Sequence, residues 1–184
     1  FRLQSQIKFA LFSDKPLKTI LITSALPSEG KTLCSTCLAM ITAITLGKRV
    51  LLIDSDLRYP SLYRVFHLSN AFGLSDVLVD SWPVEKATRN TKLPNLRVLT
   101  TGTRPSNPSQ LLSSSKMDDL LKSLGQEYDL IFLDSSPVLA TPDASLLGMT
   151  ASGTILVADG KRTRMKDLKR AAAKLEQANA NIMG

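Results

Sequence analysis

The stretch Ala25-Leu26-Pro27-Ser28-Glu29-Gly30-Lys31-Thr32 decides how the rest of the chain is read. It lies between an apolar run, Leu17 to Thr23 (LKTILIT), and a segment of helical spacing, Lys31 to Leu46, which is where a phosphate-binding loop joins a strand to a helix. Such loops follow G-x-x-x-x-G-K-[ST]; Gly30, Lys31 and Thr32 match, and Ala25 stands in place of the first glycine. Each matching residue type has a physical task. The loop N–H groups and the first turn of the following helix form an anion cradle, and Gly30 lets the backbone approach a phosphate closely. Lys31 adds a positive charge, and the Thr32 hydroxyl is a magnesium ligand. Without its surroundings the same octapeptide is a strand-to-helix turn with an exposed lysine.

The surroundings support the loop. Four further short runs rich in Ile, Leu and Val, at 49–54 (RVLLID), 95–101 (NLRVLTT), 129–134 (DLIFLD) and 153–159 (GTILVAD), bring the expected buried strands to five. Helical segments at 31–46, 61–66, 109–124, 143–148 and 164–178 alternate with them. This order predicts an α/β fold, a three-layer α/β/α sandwich with a mostly parallel central sheet. The run 100–108 (TTGTRPSNP) reads as a loop, and Ala180-Asn181-Ile182-Met183 as the entry to a further strand.

Composition sets the bounds. A chain of 184 residues, 43% hydrophobic and 21% charged, with no internal linker, is expected to form one globular domain over 1–184. It starts Phe1-Arg2-Leu3-Gln4 without a methionine and ends at the entry to a strand, so it reads as a domain trimmed at both ends. No apolar run reaches the roughly 18 to 20 residues of a membrane-spanning helix. The net charge of +7 calls for an acidic partner, which could be nucleic acid, an anionic membrane or a phosphorylated ligand. Cys34 and Cys37 spell C-x-x-C inside the first helix. With no second pair to complete a zinc site, both are expected to pack toward the sheet as small apolar residues in a reducing interior.

Two strand ends carry carboxylates, Ile53-Asp54-Ser55-Asp56 and Leu133-Asp134-Ser135-Ser136-Pro137. Parallel strands present their carboxyl ends at one edge, so Asp54, Asp56 and Asp134 should gather around the phosphate loop. Carboxylates beside phosphates imply a divalent metal. The competing reading is that strand-end aspartates cap helices.

Three ordered runs, ALPSEGKT, then Gly47 to Pro60 (GKRVLLIDSDLRYP), then Tyr128 to Val138 (YDLIFLDSSPV), resemble the Walker A, A′ and B motifs of the bacterial tyrosine kinases of capsular and exopolysaccharide export. Smaller runs fall in the same family order: Gly73 to Leu78 (GLSDVL), Asn95 to Leu99 with Gly102, Pro105 to Leu112 (PSNPSQLL) and Asp143-Ala144. The resemblance spans nearly the whole chain and implies a P-loop NTPase sandwich with ATP-dependent, autophosphorylating protein-tyrosine kinase activity. It implies Pro27, Ser28, Glu29, Gly30, Lys31, Thr32 and Leu33 around ATP, with Lys31 and the amides from Ser28 to Leu33 on the α/β phosphates. It places Thr32, Asp56 and Asp134 around Mg²⁺, and Asp54 with Lys31 in catalysis, Asp54 taking the tyrosine hydroxyl proton. The split of roles between Asp54 and Asp56 stays open. Implied partners are ATP and ADP, a membrane adaptor or activator segment, fused or separate, and other copies of the chain offering a tyrosine-rich tail. The implied location is cytoplasmic, at the inner face of the cell membrane, and nucleic acid is not an implied partner.

The pattern also departs from the family. No tyrosine-rich tail is present; of the three tyrosines, Tyr128 reads as packing, and Tyr59 and Tyr63 as interface or core. Phe1-Arg2-Leu3-Gln4-Ser5 is at most a remnant of the family's E-x-x-R-x-x-R assembly helix, and Asp159 stands where a basic residue is common. The basic cluster Lys161, Arg162, Arg164, Lys166, Lys169, Arg170 and Lys174 reads as a solvated face or a polyanion contact. It keeps a second reading open, a chromosome-partitioning-type ATPase that binds DNA non-specifically. That class carries a signature lysine early in the loop, where this chain has Leu26, and Asp56-Leu57-Arg58 looks like the kinases. A third reading is a catalytically silent nucleotide-binding module. His67 reads as packing or surface, and Trp82 as a candidate interface anchor.

Overall fold

The computed structural model describes residues 17–184. The N-terminal remnant considered above lies outside the described residues. The five expected strands form, as β1 (Thr19–Ser24), β2 (Val50–Asp54), β4 (Leu96–Leu99), β5 (Leu130–Asp134) and β6 (Gly153–Val157). Together with β3 (Thr88–Asn90) they make one six-stranded sheet in the order β3-β4-β2-β5-β1-β6. All neighbours pair parallel except β3, which runs antiparallel to β4. The β3 segment, Thr-Arg-Asn, was not expected because it has no apolar run; it is an edge strand placed by pairing rather than by burial.

The apolar runs are continuous because the central strands are covered on both sides, and alternate residues sort onto opposite faces. Leu21, Leu51, Ile53, Ile131 and Leu133 form one core cluster with Met117, Leu121 and Leu124 of α6 (Ser115–Glu127) and Leu74 and Leu78 of α3 (Leu74–Asp80). Ile20, Ile22, Val50, Leu52, Leu130 and Phe132 form the other, with Ala39 and Ala43 of α1 (Lys31–Thr45) and Leu62 of α2 (Leu62–Val65). The result is the expected three-layer sandwich. Among the described residues the remaining helices are α4 (Val84–Ala87), α5 (Pro108–Leu112), α7 (Asp143–Thr150) and α8 (Met165–Gln177).

Several local expectations change. The helix expected over 109–124 is two helices, because Ser114 breaks the run with extended backbone and caps α6 by accepting from Met117 N–H. The strand expected from Ala180 is a single parallel bridge between Ile182 and Thr154. The cysteines do not both face the sheet. The buried stripe of α1 runs through Lys31, Ser35, Ala39, Thr42 and Ala43, which leaves Cys34 half-buried and Cys37 exposed.

Gly73 and Gly102 explain two of the runs noted in the sequence. Leu74 N–H donates to Thr100 O at 2.8 Å and Ser75 N–H to Thr101 O at 2.9 Å, so the start of α3 lies directly against the end of β4. A Cβ on Gly73 would fall 2.2 Å from Thr100 O. Gly102 has φ +76°, and a Cβ there would fall 1.9 Å from Asp76 Oδ2, the oxygen that accepts Gly73 N–H at 2.8 Å. Gly102→Ala is therefore expected to destabilise the fold by about 2 to 4 kcal/mol in urea unfolding, since strain and overpacking act together. Gly160→Ala, which would meet nothing within 4 Å, is the control and should change stability by less than about 1 kcal/mol.

Candidate active site

β1 delivers the chain to the loop at the sheet's carboxyl edge. Ala25 is fully buried against Val138, Ala144, Ala171 and Leu175, so the methyl that replaces the expected glycine is absorbed by packing. Ser24 Oγ donates to Leu26 O at 2.7 Å, and Leu26 N–H donates to Glu29 Oε2 at 2.7 Å. Gly30, at φ +88°, turns the chain into α1. That helix has no side-chain cap and no acidic residue in its first turn, which leaves its N-terminal amides and positive dipole end for an anion.

Asp54 and Asp134 are direct neighbours in the pairing of β2 with β5, and both are buried. Asp54 Oδ2 accepts the Ser61 and Leu62 N–H groups, each at 2.9 Å. Burial, then the Asp134 charge, push the Asp54 carboxyl up to about 7 despite those two donors. Burial likewise pushes Asp134 up to about 6 against the opposing pull of the Thr32 hydroxyl and the Lys31 charge. Oδ1 of Asp54 and Oδ1 of Asp134 are buried with no hydrogen-bond partner among the described residues. The Asp134 carboxylate, with one unpartnered oxygen and the Thr32 hydroxyl beside it, fits a hard divalent cation. Among the described residues no three His, Cys, Asp or Glu side chains form a ready-made metal cage.

Hydroxyl groups hold these strand ends in place. Ser55 Oγ donates to Asp134 O at 2.9 Å, Ser135 Oγ to Ile22 O at 3.0 Å, and Thr23 Oγ1 to Ser136 O at 2.8 Å. Asp56 faces the opening, and its Oδ1 accepts Tyr59 N–H at 3.1 Å. A cleft of about 730 Å³ is lined by Pro27, Ser28, Gly30, Lys31, Thr32, Leu33, Asp56, Tyr59, Ser136, Pro137, Ala140 and Thr141. Most of the sequence-derived site residues therefore meet on one wall. Three do not line the cleft: Asp54 and Asp134 stand behind it, and Glu29 is buried with its side chain turned into the fold.

One constellation had no role in the sequence reading. Arg58 Nε donates to Asp143 Oδ2 at 2.8 Å and its Nη2 to Ser109 Oγ at 2.9 Å, while Ser109 Oγ donates to Asp143 Oδ1 at 2.5 Å. Burial raises the Asp143 carboxyl, but the hydrogen bonds from Arg58 and Ser109 outweigh it and hold the group below the ordinary carboxylate range. The network ties the segment after β2 to α5 and α7. Its signal was the order of three short runs, in which each partner was visible but the contact was not.

The other singled-out residues are also placed. Tyr128 is buried, as expected, and Tyr63 is half-buried under Arg64, whose guanidinium lies 5.5 Å from the ring centroid. Tyr59 is 77% exposed at the cleft mouth, so it is not a core residue. Asp159 caps its own turn by accepting Lys161 N–H at 2.9 Å. All seven cations of the basic cluster are exposed. His67 is exposed, and Trp82 stacks on Phe72 with ring centroids 4.5 Å apart.

Comparison with known proteins agrees with this geometry. A family model described as an AAA domain matches residues 17–180. The tyrosine-protein kinase YwqD of Bacillus subtilis (strain 168) is 37% identical over 182 residues, which cover 99% of this chain and 76% of YwqD. The tyrosine-protein kinase Etk of Escherichia coli (strain K12) is 34% identical over 182 residues, and the chain spans 25% of its length. The solved kinase domain of Etk superposes with a TM-score of 0.93 at 34% identity, covering 99% of this chain and 71% of that one. The cell division ATPase MinD of Pyrococcus furiosus matches less closely, with a TM-score of 0.75 at 26% identity over 91% of this chain and 70% of that one. The partition-type reading is thus the weaker of the two. The chain belongs to the bacterial tyrosine-protein kinases, built on a P-loop ATPase fold.

Proposed function

We propose that the cleft binds ATP with Mg²⁺ and transfers the γ-phosphoryl group to a protein tyrosine. The observation that carries this reading is the pair of buried carboxylates, Asp54 and Asp134, each keeping an unpartnered oxygen directly behind a phosphate loop. Without a cation they would repel a nucleotide. Mg²⁺, when bound, supplies neutralising charge on the phosphate oxygens, and Thr32, Asp56 and Asp134 are the residues that would hold it.

The chain's own groups do the rest. The loop residues from Pro27 to Leu33 wrap the phosphates, with the amides from Ser28 to Leu33 and the Lys31 ammonium opposing the α/β phosphate charge. Ser61 and Leu62 fix Asp54 through Oδ2, leaving Oδ1 as the base. A pKa raised to about 7 suits proton acceptance near neutral pH. The tyrosine oxygen attacks the γ-phosphorus, the bond to the β,γ-bridging oxygen breaks, ADP leaves, and the hydroxyl proton passes to Asp54. The base contributes about 10²- to 10⁴-fold, and positioning with charge neutralisation supplies most of the remainder.

At the level of the cell, the relatives' kinship supports a role in controlling capsular or exopolysaccharide synthesis and export. A membrane adaptor or activator, fused or separate, would hold the domain at the cytoplasmic face of the membrane. Other copies of the chain would supply the tyrosine-rich substrate tail. Among the described residues no helix is long and apolar enough to cross a membrane.

Incubation with ATP, magnesium and a tyrosine-rich peptide should yield phosphotyrosine on a specific antibody blot, and Lys31→Met should reduce the rate by at least about 100-fold. Unchanged phosphotyrosine in that variant would remove Lys31 from the mechanism. ATP turnover that rises with DNA while no phosphotyrosine forms would favour the partition-type reading instead.

The buried carboxylates also set a pH dependence. The folded protein holds the Asp54 and Asp134 protons more tightly than the unfolded chain, whose aspartates titrate near about 3.9. Their contribution to stability is therefore fully present below about pH 4 and is lost as pH rises through about 6 to 7. Asp54→Asn should raise the melting temperature of the nucleotide-free protein at pH 8 by several degrees, with the gain fading toward pH 4, while slowing phosphotransfer by about 100-fold or more. Scanning calorimetry across that pH range checks the first part. A gain that did not depend on pH would contradict it.

A further inference from the structure

The phosphate loop holds a strained shape. Ser28, a non-glycine residue, sits at φ +63°, and Gly30 at φ +88°. Left-handed backbone at serine is disfavoured and persists only where surrounding contacts enforce it. Between these two residues lies Glu29, only 6% exposed. A carboxylate inside a loop that takes a polyphosphate is electrostatically adverse, so its presence needs an offsetting task.

The contacts supply that task. Glu29 Oε2 accepts Leu26 N–H across the loop at 2.7 Å, and Glu29 Oε1 accepts the Thr163 hydroxyl in a short hydrogen bond. Thr163 lies in the turn that follows β6, 134 residues away in sequence. Its hydroxyl also accepts Asp159 N–H at 2.8 Å, and Asp159 O accepts the N–H groups of Arg162 and Thr163, which closes the turn. Arg162 Nη1 then donates to Ser28 O at 3.3 Å, on the left-handed residue itself. Two consecutive residues of the strained segment, Ser28 and Glu29, are thus tied to the one turn that follows β6.

We propose that Glu29 and Thr163 are positioning residues that clamp the phosphate loop in its binding shape, making the 159–163 turn part of the nucleotide site without touching the nucleotide. This deepens the ATP-binding reading and rests on it. The Glu29 side chain faces Leu26 and Thr163, and only its backbone remains available to the phosphates. Losing the clamp lets the loop relax, so ground-state and transition-state binding weaken alike.

The test is titration with a fluorescent ADP analogue plus magnesium, alongside steady-state kinetics with ATP. Thr163→Val and Glu29→Ala are each expected to raise the ADP Kd and the KM for ATP about tenfold while kcat stays within about twofold. Thr163→Ser, which keeps the hydroxyl, should bind within about twofold of the parent protein. The double variant Glu29→Ala/Thr163→Val should bind no more weakly than Glu29→Ala alone, because both act through one contact. Nucleotide-free melting temperatures should show each variant folded. Parent-like ADP binding by Thr163→Val, equal weakness of Thr163→Ser and Thr163→Val, or fully additive losses in the double variant would each overturn the clamp. Should the unsubstituted protein fail to bind the ADP analogue with magnesium, the ATP reading fails, and the clamp fails with it.

Discussion

Two like charges forced together organise this molecule. Asp54 and Asp134 stand side by side at the ends of adjacent parallel strands, out of contact with water, each with one oxygen that nothing among the described residues satisfies. A fold selected for stability alone would not place them so, because burial and mutual repulsion both oppose ionisation. The surrounding features compensate only in part. The Ser61 and Leu62 amides, the Lys31 charge and the Thr32 and Ser35 hydroxyls offset some of the penalty and leave both carboxyls raised. The uncompensated remainder is a penalty that a bound cation would relieve, as the proposed Mg-ATP site requires.

That arrangement demands rigid strand ends, and the fold meets the demand by hydroxyl bonding rather than by bulk. Ser55, Ser135 and Thr23 bridge the ends of β1, β2 and β5, so the carboxylates cannot splay apart to relieve their repulsion. Farther out, Arg58 reaches across to Asp143 and Ser109, fixing the segment that carries Asp56 to two helices of the outer layer. The ion pair is half-sheltered, with Asp143 buried and Arg58 partly exposed. Its value is geometric, since a bidentate pair in such a place holds one arrangement more than it adds net stability.

Much of this was legible in the sequence, and the residues show why. The strands were readable because burial on both faces writes an unbroken apolar run, as in Leu51-Leu52-Ile53 or Leu130-Ile131-Phe132-Leu133. The loop and the aspartates stand out because phosphate and metal chemistry favours those residue types at fixed positions relative to strand ends. What escaped was set by tertiary contact. β3 exists because β4 offers an edge, not because Thr88-Arg89-Asn90 favours a strand. The break at Ser114 is a local competition between helix and cap, which periodicity smooths over. Cys37 looks inward only if the helix is turned some way about its axis, and the small residues Ser35, Ala39 and Ala43 fix that turn differently. Glu29 was counted among the nucleotide-binding residues because its neighbours are, yet its side chain answers to Thr163, a partner no local pattern could reveal.

The surplus of positive charge divides in the same way. Lys31 is buried in the site, where its charge acts on Asp134 and, in the proposed function, also opposes phosphate. Arg58 is committed to Asp143, and Arg49 to Asp129 at 3.2 Å. The exposed cations of 161–174 remain, and of these Arg170 is 3.7 Å from Asp167 while Arg162 leans on the loop carbonyl of Ser28. Arg162, near the start of that cluster, is therefore engaged with the loop rather than part of a free polyanion surface. A basic face whose leading edge is spent on holding a phosphate loop is weak evidence for DNA binding. The kinase reading needs no other acidic partner to explain why the charge begins where it does.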